Sequence, residues 1–394
     1  MSDFTFLQDQ LDALAQQGLA RSLRTVVSAQ GPVIRLADEP GEKILFCSNN
    51  YLSLAADPRI GHAVAEAVRT WGYGAAASRL VSGTMELHRR LEHRFAAWLG
   101  KEAALLFSSG FAANEALLRT LPERGDLVLL DRMDHASLID GATAGSARFR
   151  RYDRNDGSRL ERLLAREGPR RRYIVTESVF SMDGDTPDLA RLVELKRRHD
   201  AILILDEAHA IGCLGPTGAG LAEAAGLLDE IDIVVAPLGK ALAASGAIVA
   251  GPRVVIDYLV NRARAFIYTT APPPAHCAAV LAAMDIVQTE PERRHRLARN
   301  TERLRGRLAE MGLSAPGRMH IVPILLGSAD RAVKISRDLL DRGYFVAAIR
   351  PPTVPPGTAR LRVSVQADHT DDQIDGLCDA LHKIVREEGC AGSL

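Results

Sequence analysis

Short runs of consecutive apolar residues alternate along most of the chain with segments whose apolar positions recur at three- and four-residue spacing. The runs are Ala103–Phe107, Leu127–Leu130, Tyr173–Thr176, Ala201–Leu205, Ile231–Val235 and Ala247–Ala250; the periodic segments include Met85–Leu99, Leu160–Glu167 and Leu189–His199. A strand with one wet face alternates apolar and polar residues, whereas a run that is apolar throughout is covered on both faces. Strands of this kind separated by helices predict an α/β fold, a mostly parallel central sheet with helices on both faces. The pattern divides the chain into three. Residues 1–47 read as an N-terminal arm, with a short amphipathic helix (Leu7, Leu11 and Leu14 at helical spacing) and β-like pieces at Val33–Leu36 and Ile44–Cys47. Residues 48–285 carry the strand–helix alternation. Residues 286–394 open with the charged helix Glu292–Met311 and continue with strand-like Ile321–Leu326 and Leu361–Val365, each followed by a helix, which predicts a smaller C-terminal α+β domain. Pro272-Pro273-Pro274 and the run Pro351 to Pro356 predict rigid loops.

Composition narrows the function. Lysine plus arginine and aspartate plus glutamate both number 49, so the formal charge is zero. A nucleic-acid binder needs a basic excess to neutralise phosphates, and none is present. The five cysteines (Cys47, Cys213, Cys277, Cys378, Cys390) are scattered, with no CxxC pair, which predicts reduced thiols in a cytoplasmic protein. Met1–Gln17 carries Asp3, Asp9 and Asp12 and lacks the basic start of a targeting peptide. The longest apolar stretch, Ala241–Ala250, is about half the ~20 residues of a membrane helix, so no membrane span is expected.

Chemistry concentrates just after the predicted strands, where ligands sit in open α/β sheets. One strand ends in Asp206-Glu207-Ala208-His209; the bland reading of Asp206 is a helix cap. Asp-Glu-Ala-His also spells a helicase box, but that chemistry needs a G-x-x-x-x-G-K-[ST] loop. Gly100-Lys101 and Gly239-Lys240 lack both the upstream glycine and the following hydroxyl residue. A second strand leads to Gly239-Lys240 among small residues. Lys240 reads either as a solvent-facing loop lysine or as an amine of lowered pKa that forms an imine. A third passes into Ser108-Ser109-Gly110-Phe111, a helix start whose free N–H groups can hold an anion. His135 follows a fourth strand, and Ser178–Asp185 follows a fifth. Pyridoxal 5'-phosphate (PLP) asks a protein for an imine-forming lysine, a carboxylate for its ring nitrogen, a flat group over the ring and an anion site for the phosphate. Lys240, Asp206, His135 and Ser109-Gly110-Phe111 supply these in order.

These segments resemble the α-oxoamine synthases, a branch of the fold-type I (aspartate aminotransferase-like) PLP-dependent transferases. The matching motifs are Ser48-Asn49-Asn50-Tyr51-Leu52, Ser109–Asn114, Asp134-His135-Ala136-Ser137-Leu138, Phe180-Ser181-Met182-Asp183-Gly184-Asp185, Asp206–His209 and Gly239-Lys240. Ala348–Pro355, continuing through Gly357–Arg362, resembles most the members that serve biotin biosynthesis. The resemblance implies a decarboxylative condensation of L-alanine with a pimeloyl thioester, carried by coenzyme A or an acyl carrier protein, in a cytoplasmic homodimer with active sites at its interface. It implies Lys240 as imine-forming residue and base, Asp206 on the pyridine nitrogen, His135 over the ring, Ser181 and His209 on the phenolic oxygen, and Gly110 and Phe111 on the phosphate. It further implies Thr270 on the phosphate of the neighbouring subunit's site, Asn49 and Arg362 on the amino-acid carboxylate, Arg24 on the far carboxylate of the pimeloyl chain, and Thr353 along the acyl channel. No metal is implied. Two departures stand out. Pro237 occupies a place where relatives carry a hydroxyl that touches the phosphate, so one contact fewer, or a water in its place, is expected. Ala241, Ala243 and Ala244 replace glycines and predict a stiffer loop. Rival readings are a glycine C-acetyltransferase, 5-aminolevulinate synthase or serine palmitoyltransferase type, or a non-catalytic PLP-binding paralogue. The basic run Arg293-Arg294-His295-Arg296 reads as a dock for an acidic carrier or as a solvated helix face.

Overall fold

The structure, a computed structural model, describes residues 4–17, 19–154 and 156–391. After β1 (Val33–Arg35) and β2 (Glu42–Leu45) come β3 (Ala103–Phe107), β4 (Leu127–Asp131), β5 (Arg148–Tyr152), β6 (Arg172–Glu177), β7 (Ala201–Asp206), β8 (Ile233–Pro237) and β9 (Ala247–Gly251). The last seven form one sheet in the order β3-β9-β8-β7-β6-β4-β5. Pairing is parallel from β5 through β8, and β9 runs antiparallel to both of its neighbours. This is the mostly parallel sheet that the apolar runs predict.

The runs are apolar throughout because alternate side chains enter different cores. Along β3, Ala103, Leu105 and Phe107 join one apolar layer while Ala104 and Leu106 join the other. Helices Gly110–Thr120 and Ala136–Ala144 pack against the first layer through Ala113, Leu117, Leu138 and Ala142. Strand β5 carries no apolar run: its sequence is Arg-Phe-Arg-Arg-Tyr. It is one of the two edge strands, and its exposed arginines keep another strand from adding there.

Strands β10 (Ile321–Gly327), β12 (Ala347–Ile349) and β13 (Ala359–Ser364) form an antiparallel sheet of order β10-β13-β12. Strand β11 (Tyr344–Phe345) pairs with β2, so residues near the N-terminus share a sheet with the C-terminal region. Gly184 seats that region on the central sheet: its carbonyl accepts from the Arg318 and Met319 amides, and its φ is +62°. A Cβ there would lie 1.9 Å from the Ile321 carbonyl oxygen, so only glycine fits. Helix Thr5–Gln16 forms where leucine spacing predicts it, yet buries none of its residues.

Cys47, Cys213, Cys277 and Cys378 are free thiols, and the Cys390 side chain lies outside the described residues. No helix of the described residues is long and apolar enough to cross a membrane.

Candidate active site

Strands β4, β6, β7 and β8 are parallel, and β3 joins them in direction because it and β8 both oppose β9. Their carboxyl ends therefore share one edge of the sheet. A cavity of about 370 Å³ opens there, lined by Asn49, Gly110, Phe111, His135, Asp206 and Lys240, with Asn114, Ser137, Glu177 and Pro237 among its other walls. A larger cleft of about 500 Å³ at the opposite edge is lined by Arg124, Arg148, Arg150 and Arg166 and by neither lysine nor histidine. Chemistry selects the smaller cavity.

Each wall has a local cause. Helix Gly110–Thr120 is capped by Ser109, whose Oγ accepts from Ala112 N at 3.0 Å. Gly110 lies so close to Pro237 that a Cβ would meet the proline Cγ at 3.0 Å, which leaves the helix start open toward the cavity. Asp206 ends β7; its Oδ1 accepts from Ala208 N at 2.9 Å and its Oδ2 from Asn114 Nδ2 at 2.8 Å. Lys240 makes no hydrogen bond or close ion pair among the described residues. Burial lowers the pKa of its ammonium, against the pull of Asp206 and Glu177. Glu177 ends β6 directly opposite Asp206. Burial and the Asp206 charge push its pKa up to about 8, and its Oε1 has no hydrogen-bond partner among the described residues.

With a lysine, a carboxylate, an imidazole and a helix N-terminus around one cavity, comparison with known proteins becomes informative. Residues 41–381 match the family described as aminotransferase class I and II. The 8-amino-7-oxononanoate synthase of Anaeromyxobacter dehalogenans is 48% identical over 384 residues, 97% of this chain and 96% of that protein. That of Geobacter sulfurreducens is 48% identical over 96% of this chain and 98% of its own length. The chain belongs to the aminotransferase class I and II family, in its 8-amino-7-oxononanoate synthase branch. Among solved structures, a serine palmitoyltransferase from S. paucimobilis with bound PLP and myriocin superposes with a TM-score of 0.92 at 30% identity, covering 98% of both chains. The 8-amino-7-oxononanoate synthase of Francisella tularensis gives 0.77 at 31% identity, over 88% of this chain and 98% of that one.

The cavity fits the cofactor of this family: an amine without a competing partner, a twice-bonded carboxylate, a ring and free helix amides face one space. Other residues that the motifs single out stand behind the walls. His209 bonds the Tyr51 hydroxyl through Nδ1 at 2.7 Å, and burial drives its pKa well down. Arg362 donates to the Ser181 carbonyl at 2.6 Å, to Asn49 Oδ1 at 3.2 Å and to the Tyr51 hydroxyl at 3.4 Å. Tyr51, fully buried, thus joins Asn49, His209 and Arg362; the motif Ser48–Leu52 contains it, but its hub position follows only from the fold. Ser181, His209, Arg362, Thr270 and Thr353 do not line the cavity, and Thr270 and Thr353 are exposed. Thr270 pairs through an isolated bridge with Ser78.

A second cavity of about 410 Å³ continues from Asn49, Gly239, Lys240 and Ala244 between Val26, Ile34, Leu45 and Phe345. Arg24 stands 5.9 Å from the centre of the Phe345 ring and pairs with Glu39 at 2.9 Å. Ala243, just after the lysine, adopts the left-handed φ of +51° that glycine takes more easily. The basic run is already committed internally. Arg293 bonds Asp57 and Glu290, Arg294 is buried against the Val287 and Pro216 carbonyls, and Arg296 pairs with Asp368.

Proposed function

We propose that the chain condenses L-alanine with a pimeloyl thioester, giving 8-amino-7-oxononanoate, carbon dioxide and free thiol, the activity that names its relatives. The observation that carries this reading is the convergence of Lys240, Asp206, His135 and the start of helix Gly110–Thr120 on one cavity. PLP, when bound, supplies the electron sink that makes an amino-acid α-carbon acidic. Lys240 tethers it and moves the α-proton; an amine whose ammonium form is weakened by burial is suited to both. Asp206, oriented by Asn114 and the Ala208 amide, would pair with the pyridine nitrogen of the cofactor. His135 would lie against the ring, and the Gly110 and Phe111 amides would hold the phosphate. Pro237 contributes no hydroxyl and no N–H there, so the phosphate would have one protein contact fewer, or a water in its place. Ser181 and His209 serve the phenolic oxygen.

Asn49 and Arg362 receive the alanine carboxylate, with Tyr51 bracing both. The second cavity takes the acyl chain, with its apolar walls along the methylenes, Arg24 at the far carboxylate and Thr353 along the channel. Thr270 serves the site of a partner subunit. A homodimer is supported by the exposed apolar residues Leu80, Val81 and Tyr268 on either side of the Ser78–Thr270 bridge. Free thiols suit the reducing cytoplasm. The chain divides into an arm at 1–47, a PLP-binding domain at 48–285 and a small domain at 286–394; the separate seven-stranded and β10-β13-β12 sheets support the last boundary, while β11 ties the arm to the small domain. The donor thioester is borne by coenzyme A or an acyl carrier protein. Turnover with alanine, glycine and serine, each crossed with pimeloyl, acetyl and palmitoyl thioesters, tests the reading. Alanine with pimeloyl should dominate, and preference for any other pair would overturn it.

A further inference from the structure

The cavity wall contains a hydrogen-bond chain that the roles above use only at its Asp206 end. We propose that Asn114 is a positioning residue that ties Asp206 to His135 through Ser137 and so holds His135 as a neutral ring with its one hydrogen on Nε2. The inference rests on the PLP reading for its purpose, but not for its geometry.

Asn114 Nδ2 donates to Asp206 Oδ2 at 2.8 Å and to Ser137 Oγ at 3.0 Å. Reversing the amide would set its oxygen against a carboxylate oxygen, so the chemistry fixes its orientation. Ser137 Oγ accepts from Asn114, which leaves the hydroxyl hydrogen for His135 Nδ1, 2.8 Å away. The Ser137 amide also points at Nδ1, at 3.3 Å. An amide N–H only donates, so Nδ1 is the acceptor and the ring hydrogen belongs to Nε2.

The helix adds to this. His135 is the N-cap of helix Ala136–Ala144, where the positive end of the helix dipole disfavours an imidazolium. Burial acts in the same direction, as does Lys240 across the cavity; the Asp206 and Asp140 charges act against it, and Glu177, on the same cavity wall and accepting from the His135 backbone N–H, is itself held toward its neutral form by burial. Asn114 and Ser137 are 2% and 1% exposed, so water cannot replace either.

The consequence is a division of labour. A neutral ring over the cofactor offers one Nε2–H to a substrate oxygen and holds no acidic proton, so proton movement falls to Lys240. The same amide that orients Asp206 also sets the ring, so one side chain positions both faces of the site.

The test uses the full-length chain labelled with ¹⁵N-histidine, with and without PLP, over about pH 5 to 8, where a histidine ordinarily titrates. The His135 ring signals are assigned by their loss in His135→Asn. The wild type should show the neutral Nε2–H form throughout neutral pH. Asn114→Ala frees the Ser137 hydroxyl to accept instead of donate, and Ser137→Ala deletes it. Each should raise the protonation constant of His135 about tenfold, the worth of one hydrogen bond. Ser137→Thr, which keeps the hydroxyl, should restore the wild-type titration. Ser137→Ala retains the backbone cap and carries the test if Asn114→Ala does not fold. An Nδ1–H ring or an imidazolium at neutral pH in the wild type, or unchanged titration in the variants, would overturn the proposal. Loss of turnover with this titration intact counts against the substrate reading alone.

Discussion

At the scale of single residues, an apolar strand ending in an acid points to Asp206, and the same rule applied to Tyr173–Glu177 points to Glu177. The sequence does not show that β6 and β7 are neighbours in register, and only that pairing sets the two carboxyls side by side. Tyr51 and Asn114 are likewise present in the motifs, while their hub positions depend on contacts between segments far apart in the chain. Glu177 has a consequence for stability. Its carboxyl titrates near 8 in the folded protein and at its ordinary value of 4.5 when unfolded. The native state therefore holds a proton that the unfolded chain releases between those values, and stability falls as pH rises through that window. Glu177→Gln should raise the melting temperature relative to wild type by a margin that grows from about pH 4.5 to about pH 8 and then levels off; a pH-independent difference would contradict it. Arg24→Ala should raise KM for the pimeloyl thioester by about tenfold to a hundredfold, the range of a charged hydrogen bond, with little change in KM for alanine. Steady-state kinetics on both substrates checks this.

Among elements, apolar runs place β3 residue for residue and helix Leu189–His199 likewise, because both are buried by an unambiguous pattern. Strand β5 and helix Pro58–Trp71 escape such a reading. The first is a polar edge strand, and the second buries only Ala67 fully. Charged residues that tie elements together are equally hard to foresee. Glu92, on helix Glu86–Trp98, accepts from Leu106 N of β3 at 3.0 Å and pairs with Arg79 at 2.8 Å, with both side chains buried. Glu92→Ala would strand the Arg79 guanidinium and leave the strand amide unpaired, so chemical denaturation should show a loss of about 3–5 kcal/mol. A change below about 1 kcal/mol would mean that the pair is solvated.

For the whole molecule, the architecture is readable from the strand–helix alternation because β3, β4, β6, β7 and β8 bring their carboxyl ends to the same edge of the sheet. The pairing of β2 with β11, which joins Ile44 and Leu45 of the arm to Tyr344 and Phe345 of the C-terminal region, is distant in sequence and has no local signal. Assembly is the other property that a single chain leaves in its surface. Val81 is 81% exposed and Tyr268 72% exposed. The double variant Leu80→Asp with Val81→Asp should convert a dimer into a monomer by light scattering and abolish turnover, because Thr270 would lose its partner site. A monodisperse wild-type monomer with full activity would contradict that. The central claim is that the Lys240 amine holds the cofactor opposite Asp206. Borohydride reduction of the PLP-loaded protein, followed by peptide mass spectrometry, tests it most directly. A pyridoxyl adduct on Lys240, absent from Lys240→Ala, is the predicted result; an adduct on another lysine, or none, would contradict the account.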